Sequence, residues 1–241
     1  GQGWAGLGWA VGLRWTGRGC VLSAGLGQAP SRQAALSAGL DLNTACTSVN
    51  KVCGSGMSAV TIACNALRSE QSEIIIAGGM ENMSRAPHLL PLAREGYRFG
   101  DRQLVDHMQI DGLQDAFKSL SMGQFAEDCA AKYKFSRKDQ DAFALESLKR
   151  AKRAIEQGLF KAEIVPVSVA NKNIQVSVEN DQQPLSANPE KIPKLRPAFT
   201  KDGTVTAANA SSISDGAAAI TLMLASKAAA LNLKPRALIH G

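Results

Sequence analysis

Apolar residues recur at two different spacings along this chain, and the changes of spacing mark its elements. NTACTSVNKVC (43–53) is rich in Thr, Val and small residues and reads as a strand. SGMSAVTIACNALRS (55–69) carries Met57, Val60, Cys64 and Leu67 three and four residues apart, the spacing of one helix face. EIIIAGGM (73–80) is a short continuous apolar run closed by Gly78 and Gly79, the pattern of a parallel strand buried on both faces. Together they predict a strand, a turn, a helix and a strand, with Cys53 at the turn.

Residues 81 to 200 are more charged, hold most of the prolines and read as an inserted subdomain. Ser136 and Asp139 predict a capped helix start, followed by a face of Ala144, Leu148, Ala151 and Ile155 and a stop at Gly158. KAEIVPVSV (161–169) and NIQVSV (173–178) read as short strands. DQQPLSANPEKIPKLRP (181–197), with its four prolines, predicts an irregular surface loop. From Gly203 the pattern returns to alanine and glycine: GTVTAANASSISDGAAAITLML predicts a loop, a short helix and a buried strand. SKAAALNL follows as a helix capped by Ser226, and PRALIHG reads as the start of another strand.

Composition narrows the class. The 241 residues are 45% apolar with 22 glycines and few aromatics, as in layered α/β proteins. A net charge of +6 favours anionic ligands, phosphate-bearing cofactors included. Clustered Lys and Arg with interleaved aromatics are missing, which argues against nucleic acid as a partner. The five cysteines form no C-x-x-C pair and lie far from the three histidines, which argues against a zinc site or a disulfide framework. Their odd number points to a reducing, cytoplasmic compartment. Residues 1–18 are apolar, contain all three tryptophans and lack a signal peptide's charged start and cleavage site. Glycines interrupt them, and no other segment reaches about 18 continuous apolar residues, so a membrane protein is not expected.

Cys53 carries the candidate chemistry. A thiol acts as a nucleophile in its thiolate form, which unpaired N–H groups and the dipole of a helix N-terminus favour. Gly54 and Gly56 follow it and, lacking a Cβ, allow a substrate carbonyl close to the sulfur and the backbone amides. The other reading is a cysteine that fills a crowded strand–helix turn, since free cysteines are among the most buried residues. The local sequence leaves both open.

N-x-V-C-G-S-G at 50–56, AGGMENMSRAPH at 77–88 and GTVTAANASSISDGAAA at 203–219, in that order, resemble the thiolase family of acetyl-CoA C-acetyltransferases and 3-ketoacyl-CoA thiolases. VLSAGLGQAPSRQAALSAGL (21–40) resembles the family segment ahead of the nucleophile. The resemblance implies a layered αβαβα fold of two similar halves, assembled as homodimers or homotetramers. It implies that Cys53 is an acyl-carrying nucleophile whose N–H helps form an oxyanion hole. It also implies that acyl-CoA and CoA are the ligands, with CoA a substrate and no metal or other cofactor required. Leu113 and Met122 match positions lining the CoA arm and acyl pocket, Phe199 and Ala207 match pantetheine-facing positions, and Ser211 matches the serine of the family's N-A-S-G. Asn209, Asp215 and Gly216 are expected to shape a turn and cap a helix, and His88 to hold a loop.

The chain departs from the family at several points. Ser121 stands where short-chain members often carry histidine, Ser212 replaces the glycine of N-A-S-G, and the 181–191 loop lacks an arginine that often meets the nucleotide end of CoA. The family's G-H-P-x-G, C-x-G-G-G and N-E-A-F motifs are not among the 241 residues. The expectation is therefore an incomplete thiolase fold, shortened at both ends. It would comprise a non-family leader (1–18), the first part of the N-terminal half (19–80), the inserted subdomain (81–200), and the rest of that half with the threshold of the second (201–241). The expected activity is reversible joining of two acetyl-CoA molecules into acetoacetyl-CoA and CoA, with the chain alone inactive. Degradative 3-ketoacyl-CoA thiolysis and non-catalytic acyl-CoA or lipid binding are the alternatives.

Overall fold

The structure is a computed structural model that describes residues 13–19, 21–171 and 174–240. Its elements run β1 (Leu13–Gly19), α1 (Pro30–Ser37), β2 (Ala45–Val49), α2 (Ser55–Arg68), β3 (Ile74–Asn82), β4 (His88–Leu89) and β5 (Val105–Asp106). They continue with α3 (Met122–Tyr133), α4 (Arg137–Glu156), β6 (Val167–Asn171), β7 (Ile174–Val178), α5 (Gln182–Ser186), β8 (Asp215–Met223) and α6 (Ala225–Ala230). Described residues up to Ala116 and from Ile213 form one compact unit, and Phe117–Ser212 form a second.

In the first unit four strands lie in the order β2, β1, β3, β8. β1 is parallel to both β2 and β3, while β8 returns antiparallel to β3. Residues 13–18, assigned to a leader from the sequence, thus supply backbone to one of the two inner strands; residues 1–12 of that leader lie outside the described residues.

Helix α2 covers the sheet with a face shifted from the one predicted: Leu67 is buried and Val60 packs against the core as expected, but Ala59 and Ala63 take the places given to Met57 and Cys64. Its buried residues are Ser55, Ala59, Ala63 and Leu67, whereas Met57 is 77% exposed. Alanines let the helix axis approach the strands closely, and Ala63 and Leu67 pack with Ile75 and Ala77 into the core cluster. Ile75 is fully buried, a contribution of roughly 1.5–3 kcal/mol from one side chain.

β3 does not stop at its glycines. It continues through Gly78 and Gly79 to Asn82 because β8 lies against it there: a Cβ on Gly78 would come 2.1 Å from the carbonyl oxygen of Ala218. Burial fades beyond Ala77, so only the first half of β3 is a deeply covered strand. The helix expected between Gly203 and β8 is a turn instead, and β8 is exposed along most of its length. Asp215 opens that strand rather than capping a helix. Ser226 lies inside α6, whose cap is Leu224, and residues 235–240 form no strand.

The division between units falls at 116/117 and 212/213, away from the composition changes at 81 and 200. Charged residues after 81 still belong to the sheet unit: the N–H of His107 donates to the carbonyl of Pro87, and Gly112 lies against Val21 and Leu22.

The second unit is built on α3 and α4, each started by a reciprocal capping box, Ser121 with Gln124 and Ser136 with Asp139. Ala144, Leu148, Ala151 and Ile155 are all half-buried along α4, and Gly158 beyond its end has φ 62°. β6 and β7 pair as an antiparallel hairpin. The proline-rich stretch is more regular than the sequence suggested. Pro184 sits in the first turn of α5 and Pro189 opens a 3₁₀ turn over Pro189–Lys194, positions whose N–H groups have no partner inside a helix. Among the described residues no helix is long and apolar enough to cross a membrane.

Candidate active site

The turn that carries Cys53 is held by side chains of its own sequence. Asn50 Oδ1 accepts from the N–H of Val52 at 2.9 Å. Ser55 Oγ accepts from the N–H of Lys51 at 2.9 Å and donates to the carbonyl of Val52 at 2.6 Å. The N–H groups of Gly54 and Ser55 close back onto the carbonyls of Lys51 and Val52. Between these bonds Val52 adopts φ 47°, a left-handed conformation that a β-branched residue rarely takes.

The chain then enters α2 through Gly54 as its N-cap. Cys53 is left exposed at one wall of an open cavity of about 370 Å³, shared with Val21, Gly56, Gly79, Glu81 and Ala217. β3 and β8 thus line the same cavity as the Val52–Cys53 turn and the start of α2. The crowded-turn reading of Cys53 does not describe this placement, because the side chain faces the cavity.

Two side chains that the sequence did not single out hold the segment after β1, and one of them, Glu81, also lines the cavity. Glu81 accepts from the N–H groups of Val21 and Leu22 at 2.8 and 3.1 Å, fixing the segment after β1. His107 is buried, with Nδ1 2.5 Å from Asp111 Oδ2, while Nε2 accepts from the N–H of Ala24 at 3.4 Å. The helical spacing of His107 and Asp111 and the acidic residue directly after the AGGM run were the available signals. His88 pairs with Asp106 through the short β4–β5 ladder, a loop-holding position.

The residues matched to CoA-binding positions fall in both units. Leu113 is half-buried at the end of a wide turn, Gln109–Leu113, next to Gly112, which lies 3.6 Å from Val21 if given a Cβ. Met122, Phe199, Ala207 and Ser211 lie in the second unit. Met122 is the first residue of α3 and 44% exposed, and the Phe199 ring covers its neighbour Gly123, where a Cβ would lie 2.2 Å from the ring. Ser121, which stands in a position often held by histidine, serves as the α3 cap. Ala207 and Ser211 are exposed on one turn that follows buried Val205 and Thr206. Asn209 shapes that turn: Oδ1 accepts from the N–H of Thr206 at 2.7 Å and Nδ2 donates to the carbonyl of Thr204 at 3.1 Å.

Carboxylates around these segments are held ionised. Burial pushes the Glu127 carboxyl upward, but the N–H groups of Thr204 and Val205 and the Thr204 hydroxyl outweigh it and hold the group below the usual glutamate range. The Ser84 hydroxyl, with the Ser84 N–H, holds Asp215 below the usual aspartate range.

Comparison with known proteins matches the thiolase N-terminal domain to residues 16–226. An acetyl-CoA acetyltransferase of Chromobacterium violaceum is 51% identical over 225 residues, covering 92% of this chain and 57% of that protein. One of Pseudomonas aeruginosa is 50% identical over 217 residues, covering 89% of this chain and 55% of its own. Among solved structures, a thiolase from Ascaris suum in complex with coenzyme A superposes with a TM-score of 0.85 at 42% identity, over 92% of this chain and 57% of that one. The chain spans little more than half the length of these relatives. Through that N-terminal domain, the chain belongs to the thiolase family.

Proposed function

We propose that Cys53 is the acyl-carrying nucleophile of an acetyl-CoA C-acetyltransferase. The observation that carries this reading is the exposed Cys53 thiol at the mouth of α2, facing an open cavity between glycine-lined backbone segments. The names of the relatives support the acetyl-CoA substrate. In the first half-reaction the Cys53 thiolate adds to the thioester carbonyl of acetyl-CoA, and the C–S bond to CoA breaks. CoA leaves as a thiol after taking up the proton that Cys53 gave up, and the acetyl group remains as a thioester on Cys53. In the second, the α-carbon of another acetyl-CoA loses a proton and attacks that thioester; the bond from the carbonyl carbon to Cys53 Sγ breaks, acetoacetyl-CoA leaves, and the released Cys53 thiolate takes up that proton, restoring the starting thiol. The backbone N–H of Cys53 is assigned to the oxyanion. CoA and acyl-CoA are the ligands, coenzyme A being a substrate, and the reading places the activity in a homodimeric or homotetrameric cytoplasmic protein.

Competition between cysteines tests the nucleophile. Cys53 and Cys129 are both exposed, while Cys46 and Cys64 are half-buried. At neutral pH iodoacetamide should modify Cys53 at least about tenfold faster than Cys129, as read by peptide mass spectrometry. Equal rates at the two exposed thiols would replace this reading with that of a non-catalytic acyl-CoA or lipid binder.

A further inference from the structure

The turn that bears Ala207 and Ser211 is tied to two helices by two carboxylates. Glu127 of α3 accepts from the N–H of Thr204 at 2.8 Å, the N–H of Val205 at 2.9 Å and the Thr204 hydroxyl at 3.1 Å. Gly203 makes room for it: a Cβ there would lie 2.1 Å from Glu127 Oε1. Asp141 of α4, 5% exposed, accepts from Arg137 Nε at 2.7 Å and from Asn209 Nδ2 at 3.1 Å. Arg137 in turn donates to the carbonyls of Ile192 and Leu195.

These bonds consume the donors of the segment. The N–H groups of Thr204, Val205, Thr206, Ala208, Asn209 and Ala210 all donate within the unit. Among the described residues along 204–211, the N–H groups of Ala207 and Ser211 make no such bond, and both residues are exposed. A fixed turn with two N–H groups left over suits a ligand built from amides, such as the pantetheine arm. Ordering that turn in advance removes a cost that binding would otherwise have to meet.

We propose that Glu127 and Asp141 are positioning residues that preform the 204–211 turn for the pantetheine arm of coenzyme A. This rests on the coenzyme A reading above. Neither residue touches the ligand in this arrangement; each acts through the turn. The Glu127 bonds need the carboxylate, because an amide at that position has one acceptor oxygen to set against three donors.

The test is coenzyme A binding to the 241-residue chain by titration calorimetry. At neutral pH Glu127→Gln should weaken binding about tenfold, the scale of one lost charge-assisted hydrogen bond, while alkylation of Cys53 in the other unit stays unchanged. The ratio of wild-type to Glu127→Gln affinity should fall towards one as pH drops through the lowered Glu127 range, because the wild-type carboxyl then protonates as well. A merely structural role would not produce that convergence in folded protein. Thr204→Val, which removes one of the three donors, should weaken binding about two- to threefold and serves if Glu127→Gln does not fold. Ala207→Trp, which fills the face of the turn, separates the two ideas. Loss of binding in Ala207→Trp with wild-type affinity in both Glu127→Gln and Thr204→Val overturns the positioning role alone. Wild-type affinity in Ala207→Trp, or no binding by the wild-type chain, overturns the coenzyme A reading and the positioning role with it.

Discussion

Ser55 Oγ donates to the carbonyl oxygen of Val52 at 2.6 Å, and this bond closes the turn in which Val52 is held at φ 47° directly before Cys53. Ser55 is 3% exposed, so water does not replace the bond when it is lost. Ser55→Ala should therefore cost about 1–3 kcal/mol, the penalty for leaving the Lys51 N–H and the Val52 carbonyl without this partner. Urea unfolding measures the loss, and a change under 0.5 kcal/mol or so would mean that the backbone holds the turn unaided.

The strain at Val52 gives a prediction of opposite sign. Val52 is 50% exposed, so replacing it removes little packing. Glycine adopts the left-handed region without the penalty of a β-branched side chain, roughly 1–2 kcal/mol, and gives part of that back through a more flexible unfolded chain. Val52→Gly should raise the unfolding free energy by about 0.5–1 kcal/mol. A clear destabilisation would show that the Val52 side chain contributes more by packing than its conformation costs.

Gly78→Ala puts a Cβ within 2.1 Å of the Ala218 carbonyl oxygen, a backbone atom that cannot swing aside. The β3–β8 pairing has to shift, and the expected cost is about 3 kcal/mol. Amide exchange should rise along Asp215–Met223 while that within α3 and α4, in the other unit, remains at the wild-type rate. Wild-type exchange along β8 would mean that the two strands accommodate the methyl group.

Asp215 links stability to pH. The Ser84 hydroxyl and N–H lower its folded pKa, so its contribution is complete above the unfolded aspartate range and is lost as pH falls through the depressed folded value. Ser84→Ala should lower stability at neutral pH and flatten that part of the acid limb. Unfolding curves collected from neutral pH down to the acid range, for wild type and variant, should converge at the acid end. Curves that stay parallel throughout would show that Asp215 is not the linked group.

The local features of this chain were legible because they depend on neighbours in sequence. The strand–turn–helix–strand around Cys53, the Ser136–Asp139 box and the two short strands before residue 178 each rest on residues a few positions apart, although the first of those strands starts at Val167 rather than Lys161 because 161–163 form a turn. The buried face of α2 was only half legible: Leu67 and Val60 pack as their spacing predicts, but Ala59 and Ala63 gain their place from how near the helix lies to the sheet rather than from their own hydrophobicity. β8 was misread for a related reason. GAAAITL reads as buried, yet its exposure depends on what covers the sheet beyond it, which no pattern inside the strand encodes. Glu81, Glu127 and His107 escaped notice because each acts on backbone groups far away in sequence, and a carboxylate or imidazole carries no periodic signal.

The pairing of β3 with β8 also sets an order of events during synthesis. Residues 83–214 lie between the two strands, so Ile74–Asn82 emerges long before the partner that completes its ladder. At about 5–20 residues per second that interval lasts on the order of ten seconds. During it, an apolar strand presents an open edge while the helical turns of α3 and α4, whose backbone bonds close within four residues, have time to form. The nascent chain thus has a window of vulnerability at Ile74–Ala77, and a chaperone that binds short apolar segments would find its site there rather than in the second unit.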